Sequence, residues 1–187
     1  MENFAENVTQ YLFEHEYVDN DQLQWCHYTI VHWSMSVLSF VVLVPIGAMI
    51  VGWAGSLLFT ATFRFLRART GGYHAKTPHG CLLSSLCLQT VFLFISKANT
   101  YFIATSLFAA LSALLIFTLA PANNPKLHLT SAEIEALHPR ILFRLCIALI
   151  CSGILMYYNP LWCSCILLAI IAVAALLILS KCGCGTQ

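Results

Sequence analysis

Hydrophobic residues along this chain form a short amphipathic pattern followed by long apolar stretches. In residues 1–25, Phe4, Val8 and Leu12 recur at intervals of four while acidic residues occupy the other sides, which predicts an amphipathic helix at a membrane interface. Later apolar stretches lie at about 82–96, 101–120, 141–157 and 161–180. Each approaches the roughly 20 apolar residues that a helix needs to cross a bilayer, so the pattern predicts transmembrane helices.

A further stretch, from Ile30 to Phe63, contains no Asp, Glu, Lys or Arg. As one helix it would extend about 51 Å, well beyond a hydrocarbon core of about 30 Å. Pro45 and three glycines in its middle permit a break or a re-entrant bend. We therefore expect two short helices here. If both cross the membrane, the N terminus is cytoplasmic; a single crossing would place it outside.

The composition supports a membrane location. Hydrophobic residues make up 59% of the 187 residues, charged residues only 9%, and the mean hydropathy is +0.79, which is too apolar for a soluble domain of this size. Pattern and composition predict an all-α integral membrane protein, a bundle of about six transmembrane or re-entrant helices preceded by the amphipathic helix. We expect one membrane domain over residues 1–187 with lipid as a partner.

Charge placement predicts the orientation and excludes some partners. Residues 1–25 contain acidic residues but no Lys or Arg, unlike a cleavable secretory signal, so we expect the N terminus to be retained. Basic residues concentrate in two polar loops, 64–81 and 121–140, which the positive-inside rule places in the cytoplasm. The net charge is +1 and no basic stripe is present, so nucleic acid is not expected as a partner.

Cys81 is the best candidate for a reactive group because it lies where a basic polar loop meets an apolar segment. Thr77 and Pro78 predict a helix start, with Thr as the N-cap and Pro at the first helical position. Cys81 then falls in the opening turn, where the helix dipole favours thiolate over thiol. Three nearby cations would add to this effect: Arg67, Arg69 and Lys76.

His74 precedes Cys81 by seven residues and is the candidate base. On a continuous helix this spacing places both residues on one face, and a turn at Gly71 and Gly72 could also fold the loop back. Either route gives a Cys/His pair of the kind that activates a nucleophilic thiol. Ser84 and Ser85 follow on the same segment, but no third catalytic residue can be named.

The remaining cysteines are predicted to have no catalytic role. Five lie within apolar segments and are expected to be reduced packing residues: Cys87, Cys146, Cys151, Cys163 and Cys165. Cys182 and Cys184 resemble half of a zinc site, but no second pair lies nearby in sequence, so they receive no function.

Two other classes of function fit parts of the sequence. A metalloenzyme could use His74, His79 and Cys81 as ligands, but no H-E-x-x-H pair is present and no acid lies between residues 22 and 132 to act as base. A non-enzymatic membrane adaptor or transporter for a small peptide should carry ionisable groups deep in its spans, where only Arg144 is found. We predict neither a metal nor a cofactor.

The string RFLRARTGGYHAKTPHGC at 64–81, together with PANNP at 121–125, resembles the accessory gene regulator protein B family of bacterial quorum sensing. Members of this family are membrane cysteine endopeptidases. The resemblance covers most of residues 30–180 and implies Cys81 as the nucleophile and His74 as its general base. It also implies a multi-pass location in a bacterial cell membrane, with the catalytic loop on the cytoplasmic face.

Supporting roles at the same loop follow from the resemblance and from the predicted turn and cap. Arg67 and Gly72 occupy the family's other characteristic loop positions, while Gly71 and Thr77 are expected to supply the turn and the helix cap. In the later loop, Glu133 and Glu135 appear where family members often carry a richer basic cluster. No residue is assigned to substrate binding.

The resemblance also implies the reaction. The Cys81 thiolate would attack a small precursor signal peptide after its signal segment, release a charged C-terminal tail and leave an acyl-enzyme thioester. A Cys or Ser of the bound precursor would then attack the thioester and close a thiolactone or lactone ring, provided that water is kept away. A homodimer is a further expectation from the family.

Overall fold

The computed structural model describes residues 2–15, 17–71, 78–98, 102–122 and 130–183. Throughout these ranges the regular secondary structure is helical and no strand is present, which confirms the predicted all-α class. The helices in chain order are α1 (Glu2–Glu14), a 3₁₀ turn (Asn20–Gln22), α2 (Leu23–Thr70), α3 (Pro78–Ala98), α4 (Phe102–Leu119), α5 (Ser131–Tyr158) and α6 (Pro160–Lys181).

The chain forms two compact units, Met1–Val42 and Leu43–Gln187. In the first unit, α1 confirms the predicted N-terminal helix, and the face that it buries lies beside the apolar stripe. Ala5 and Thr9 are buried, whereas Phe4 is 59% exposed. Ala5 and Thr9 are four residues apart and therefore share a helix face. This face is offset by one residue from the face that carries Phe4, Val8 and Leu12.

The long apolar helix α2 is broken at Gly52. The φ of 78° and ψ of 166° at this residue lie outside the helical region, in a conformation that glycine adopts readily. The Ser56 hydroxyl donates a hydrogen bond of 2.8 Å to the carbonyl of Val44, although twelve residues of continuous helix would separate them by about 18 Å. The chain therefore reverses at Gly52 and α2 has two arms, 23–51 and 53–70. The predicted break is confirmed.

Small and polar side chains hold this reversal against α3. Gly47 leaves no space for a Cβ because Gln89, Leu93 and the second arm lie against it. The Gln89 amide donates to the carbonyl of Leu43 over 2.7 Å and accepts from the Thr60 hydroxyl over 3.2 Å. Close backbone approach at glycine and hydrogen bonds between helices are typical of contacts inside a bilayer, so these contacts fix the second arm relative to α3.

Helix α6 is the most buried helix of the second unit. Its middle is enclosed on all sides, as expected for a helix that is apolar all round. Helices α3, α4 and α5 all pack against it. Alanines along its length, such as Ala169 and Ala172 at 0% exposure, allow neighbouring backbones to approach closely.

Helices α2 to α6 are each long and apolar enough to cross a membrane. The break in α2 turns these five candidates into six apolar segments, which favours the alternative in which residues 30–63 cross twice. The chain is accordingly a multi-pass membrane protein. The cytoplasmic location of its polar loops stays a prediction.

Both polar loops are shorter than their composition suggested. Helix α2 continues to Thr70 and α3 begins at Pro78, so both ends of the predicted loop 64–81 are helical. Helix α5 begins at Ser131, inside the predicted loop 121–140, and a capping box fixes its start. The loops are shorter because a helix can continue past the hydrocarbon core, since arginine, glutamate and lysine are good helix formers.

Candidate active site

Cys81 lies in the first turn of α3, which begins at Pro78. Proline at this position confirms the predicted helix start, because its missing N–H would have no partner in a first turn. The Cys81 side chain is partly exposed. The Ser84 hydroxyl bonds to the Cys81 carbonyl over 3.0 Å rather than to the thiol. The sulfur is thus held at a helix start and remains accessible.

Two arginines from the end of α2 reach Cys81. The guanidinium groups of Arg67 and Arg64 both lie close enough for their charges to act on the thiol. Arg67 also lies over the ring of the buried Phe63, 5.5 Å from its centroid, which restricts its position. Two positive charges therefore lie beside the thiol at the start of α3.

Gly71 ends α2 in a left-handed conformation. Its φ is 70°, and its N–H bonds to the carbonyl of Arg67 over 3.2 Å, the pattern of an αL helix cap. A Cβ here would lie 3.3 Å from the carbonyl oxygen of Ala122. The predicted turn is confirmed for Gly71. Its backbone conformation ends α2 four residues after Arg67, one of the two arginines near Cys81.

The two polar loops meet at this end of the helices. The Ala122 N–H donates a bond of 2.9 Å to the Thr70 carbonyl. Thr70 is fully buried, and its hydroxyl bonds back to the Leu66 carbonyl over 3.3 Å. Pro121 and Ala122, the start of the PANNP string, therefore pack beside the end of α2. This juxtaposition agrees with both loops lying on one side of the membrane.

Three of the predicted site residues, His74, Gly72 and Thr77, lie outside the described residues. The Cys/His pair therefore stays a prediction. Within the described ranges, no three His, Cys, Asp or Glu side chains come together in a way that could hold a metal ion.

Arg69 does not join the other arginines, contrary to the expectation that it would act on Cys81. At about 100° per residue, its side chain leaves α2 on a different side from those of Arg64 and Arg67. It lines a groove with Arg140 and Arg144 of α5. Sequence reasoning missed the electrostatic interaction of Arg64 with Cys81, although its spacing of three residues from Arg67 could have indicated a shared face.

The other cysteines divide into two groups. Cys163 and Cys165 are buried in α6, which confirms their predicted packing role. Cys87, Cys146 and Cys151 are exposed on helix surfaces, so the packing prediction is wrong for these three. In a membrane protein an apolar surface position faces lipid, and a small weakly polar thiol is tolerated there as it is in a core. None of these five lies at a helix start beside a cation.

Comparison with known proteins finds a matching family and a curated relative. The family model described as Accessory gene regulator B matches residues 5–179. Protein FsrB of Enterococcus faecalis (strain ATCC 47077 / OG1RF) is 24% identical over 132 residues, which cover 69% of this chain and 54% of that protein. The chain thus spans about half the length of this curated relative. No solved structure matches significantly. Because the family model covers nearly all of the helical region, the chain belongs to the accessory gene regulator B family of quorum-sensing membrane proteins.

Proposed function

We propose that this chain is a membrane cysteine endopeptidase that removes the C-terminal tail of a quorum-sensing precursor peptide and closes the remaining peptide into a ring. Cys81 is the nucleophile and His74 the general base. The observation that carries the proposal is the position of Cys81, a partly exposed thiol in the first turn of α3 with the charges of Arg67 and Arg64 nearby. No other described cysteine combines these features.

The first half of the reaction follows from this setting. The Cys81 thiolate attacks the carbonyl carbon of the scissile peptide bond, and backbone N–H groups at the start of α3 are suited to hold the resulting oxyanion. His74 takes the thiol proton and returns it to the leaving nitrogen, so the tail departs as a neutral or protonated amine. The signal portion stays bound to Cys81 as a thioester.

The second half reverses the roles. A thiol or hydroxyl of the bound precursor gives its proton to His74 and attacks the thioester carbonyl. The bond to Cys81 breaks, the thiolate returns to the arginines, and a thiolactone or lactone ring is released. Cyclisation competes with hydrolysis, so a site at the membrane edge with restricted water favours the ring. This order of steps needs no cofactor.

Membership of the accessory gene regulator B family supports a quorum-sensing precursor peptide as the substrate. The decisive experiment uses the full chain in membranes together with its precursor peptide, to be sought as a short open reading frame beside the gene. We expect Cys81→Ala and His74→Ala each to lower precursor cleavage by at least about a thousandfold, measured by mass spectrometry of the released tail. Cys87→Ala, on the same helix, is the matched control and should cleave normally.

Membrane insertion of each variant is checked by its resistance to alkaline extraction. Normal cleavage by inserted Cys81→Ala would overturn the proposal, as would loss of cleavage in Cys87→Ala. Loss in Cys81→Ala alone would assign the nucleophile but remove His74 as the base.

A further inference from the structure

A groove lies between the end of α2 and the start of α5, on the surface of the second unit. It has a volume of about 430 Å³, within the usual range for small-ligand sites. Its lining contains three arginines and no acidic residue: Phe65, Arg69, Pro139, Arg140, Phe143 and Arg144. This concentration of positive charge without an acidic side chain in the lining is complementary to an anion.

Arg144 is fixed in the floor of this groove. Its Nη1 donates a bond of 2.6 Å to the Phe65 carbonyl, and its guanidinium lies 4.6 Å from the centroid of the Phe65 ring. A guanidinium has five N–H donors in a rigid fork, so one bond to a carbonyl leaves others for a ligand. Arg69 is near enough for its charge to act on Arg144. Two like charges held this close are stabilised by an anion between them.

The groove faces away from the candidate active site. On α2, Arg64 and Arg67 reach Cys81, whereas Phe65 and Arg69 line the groove. At about 100° per residue, these two pairs leave the helix roughly 150° apart. A peptide held at Cys81 would therefore have to pass around α2 to fill the groove, which argues against the precursor tail as its occupant.

The lining suits a lipid instead. Phe143 is 68% exposed and Phe65 37% exposed, so aromatic surface lies open beside the arginines. Arg144 is the fourth residue of the apolar run that begins at Ile141, so its long side chain can extend to the interface where lipid phosphates meet hydrocarbon. Basic pockets between transmembrane helices bind the headgroups of anionic lipids. We propose that this groove binds the phosphodiester headgroup of an anionic phospholipid, with the two phenyl rings against its acyl chains.

Lipid binding to the full chain in detergent tests the proposal, with phosphatidylglycerol as the probe and phosphatidylcholine as the neutral comparison. We expect native mass spectrometry to show preferential binding of phosphatidylglycerol. The double variant Arg69→Gln/Arg140→Gln should bind it about thirtyfold more weakly, which is about 2 kcal/mol for two charges. Arg144 is left intact because it also holds α2 to α5. Lys181→Gln, which removes a cation elsewhere, is the matched control.

Two competitors distinguish the possible anions. Inorganic phosphate should displace phosphatidylglycerol poorly, because it lacks the acyl chains that the phenyl rings contact; displacement at equal concentration would overturn the lipid assignment. A Glu-rich peptide that binds the wild type but not the double variant, with lipid binding unchanged, would assign the groove to a peptide instead. Equal binding of both lipids, or equal weakening in Lys181→Gln, would also contradict the proposal.

Discussion

Cys81 and Cys165 place the same side chain in two different environments. Cys81 is partly exposed at the start of α3, beside two arginines. Cys165 is fully buried in α6, and its sulfur lies 3.3 Å from the Ser96 hydroxyl. Cations stabilise a thiolate, whereas a neutral hydroxyl in an apolar core gives little compensation for burying charge. The two cysteines differ in exposure and in neighbouring charge, and these properties separate the proposed nucleophile from a core thiol better than the surrounding hydropathy does.

The largest expected difference is in chemical reactivity. Iodoacetamide should alkylate Cys81 at pH 7 at least about a hundred times faster than Cys165, because the core thiol is both inaccessible and uncharged. Site-resolved mass spectrometry of the full chain in vesicles measures both rates. Cys182, which is exposed at the end of α6, controls for access. If Cys182 reacts as fast as Cys81, accessibility alone explains the contrast and the arginines have no effect.

Removing the charge of Arg67 should reduce the difference in alkylation rate between Cys81 and Cys165 without abolishing it. We expect Arg67→Gln to slow alkylation of Cys81 about tenfold, since one neighbouring cation is lost while Arg64 remains. Arg67→Lys should recover part of the rate because it restores the charge but not the planar fork. Lys97→Gln, at the other end of α3, is the control for a general loss of charge. An unchanged rate in Arg67→Gln would show that the charge of Arg67 does not activate the thiol.

The smallest expected effect concerns the core cysteine. Cys165→Ala should lower the free energy of unfolding by about 1–2 kcal/mol, because it leaves a small cavity and removes the partner of the Ser96 hydroxyl. Unfolding in mixed detergent micelles measures this change. Cys151→Ala, at an exposed position in α5, should cost less than about 0.5 kcal/mol. Loss of precursor cleavage in folded Cys165→Ala would contradict the proposal that Cys81 is the nucleophile and that Cys165 only packs in the core.

Hydropathy was sufficient to predict the helices, because crossing a bilayer requires continuous apolar segments whose lengths can be counted. It also predicted a break between residues 30 and 63. It could not select Gly52 over Pro45, since proline within a membrane helix is tolerated when neighbours satisfy the freed groups. The reversal depends on the contact of Ser56 with Val44, a tertiary interaction that a linear pattern does not contain.

The candidate site was predictable in part for a similar reason. Local sequence placed Cys81 at a helix start, because proline and the polar-to-apolar boundary are local signals. The approach of Arg64 and Arg67 depends on how α2 packs beside α3. Likewise, Arg69 carries the same charge as Arg67 two residues away, but the helix turns it toward α5. A cluster of arginines in a sequence therefore predicts a local positive charge, but it does not predict which residues each arginine will lie beside.

The most direct test of Cys81 as the nucleophile is to trap the acyl-enzyme. The full chain in vesicles is mixed with its precursor, quenched in acid, digested and analysed by mass spectrometry. We predict a hydroxylamine-sensitive adduct on the peptide that contains Cys81, with the mass of the precursor minus its tail. Efficient tail release without this adduct, or the same adduct on another residue, would contradict the assignment.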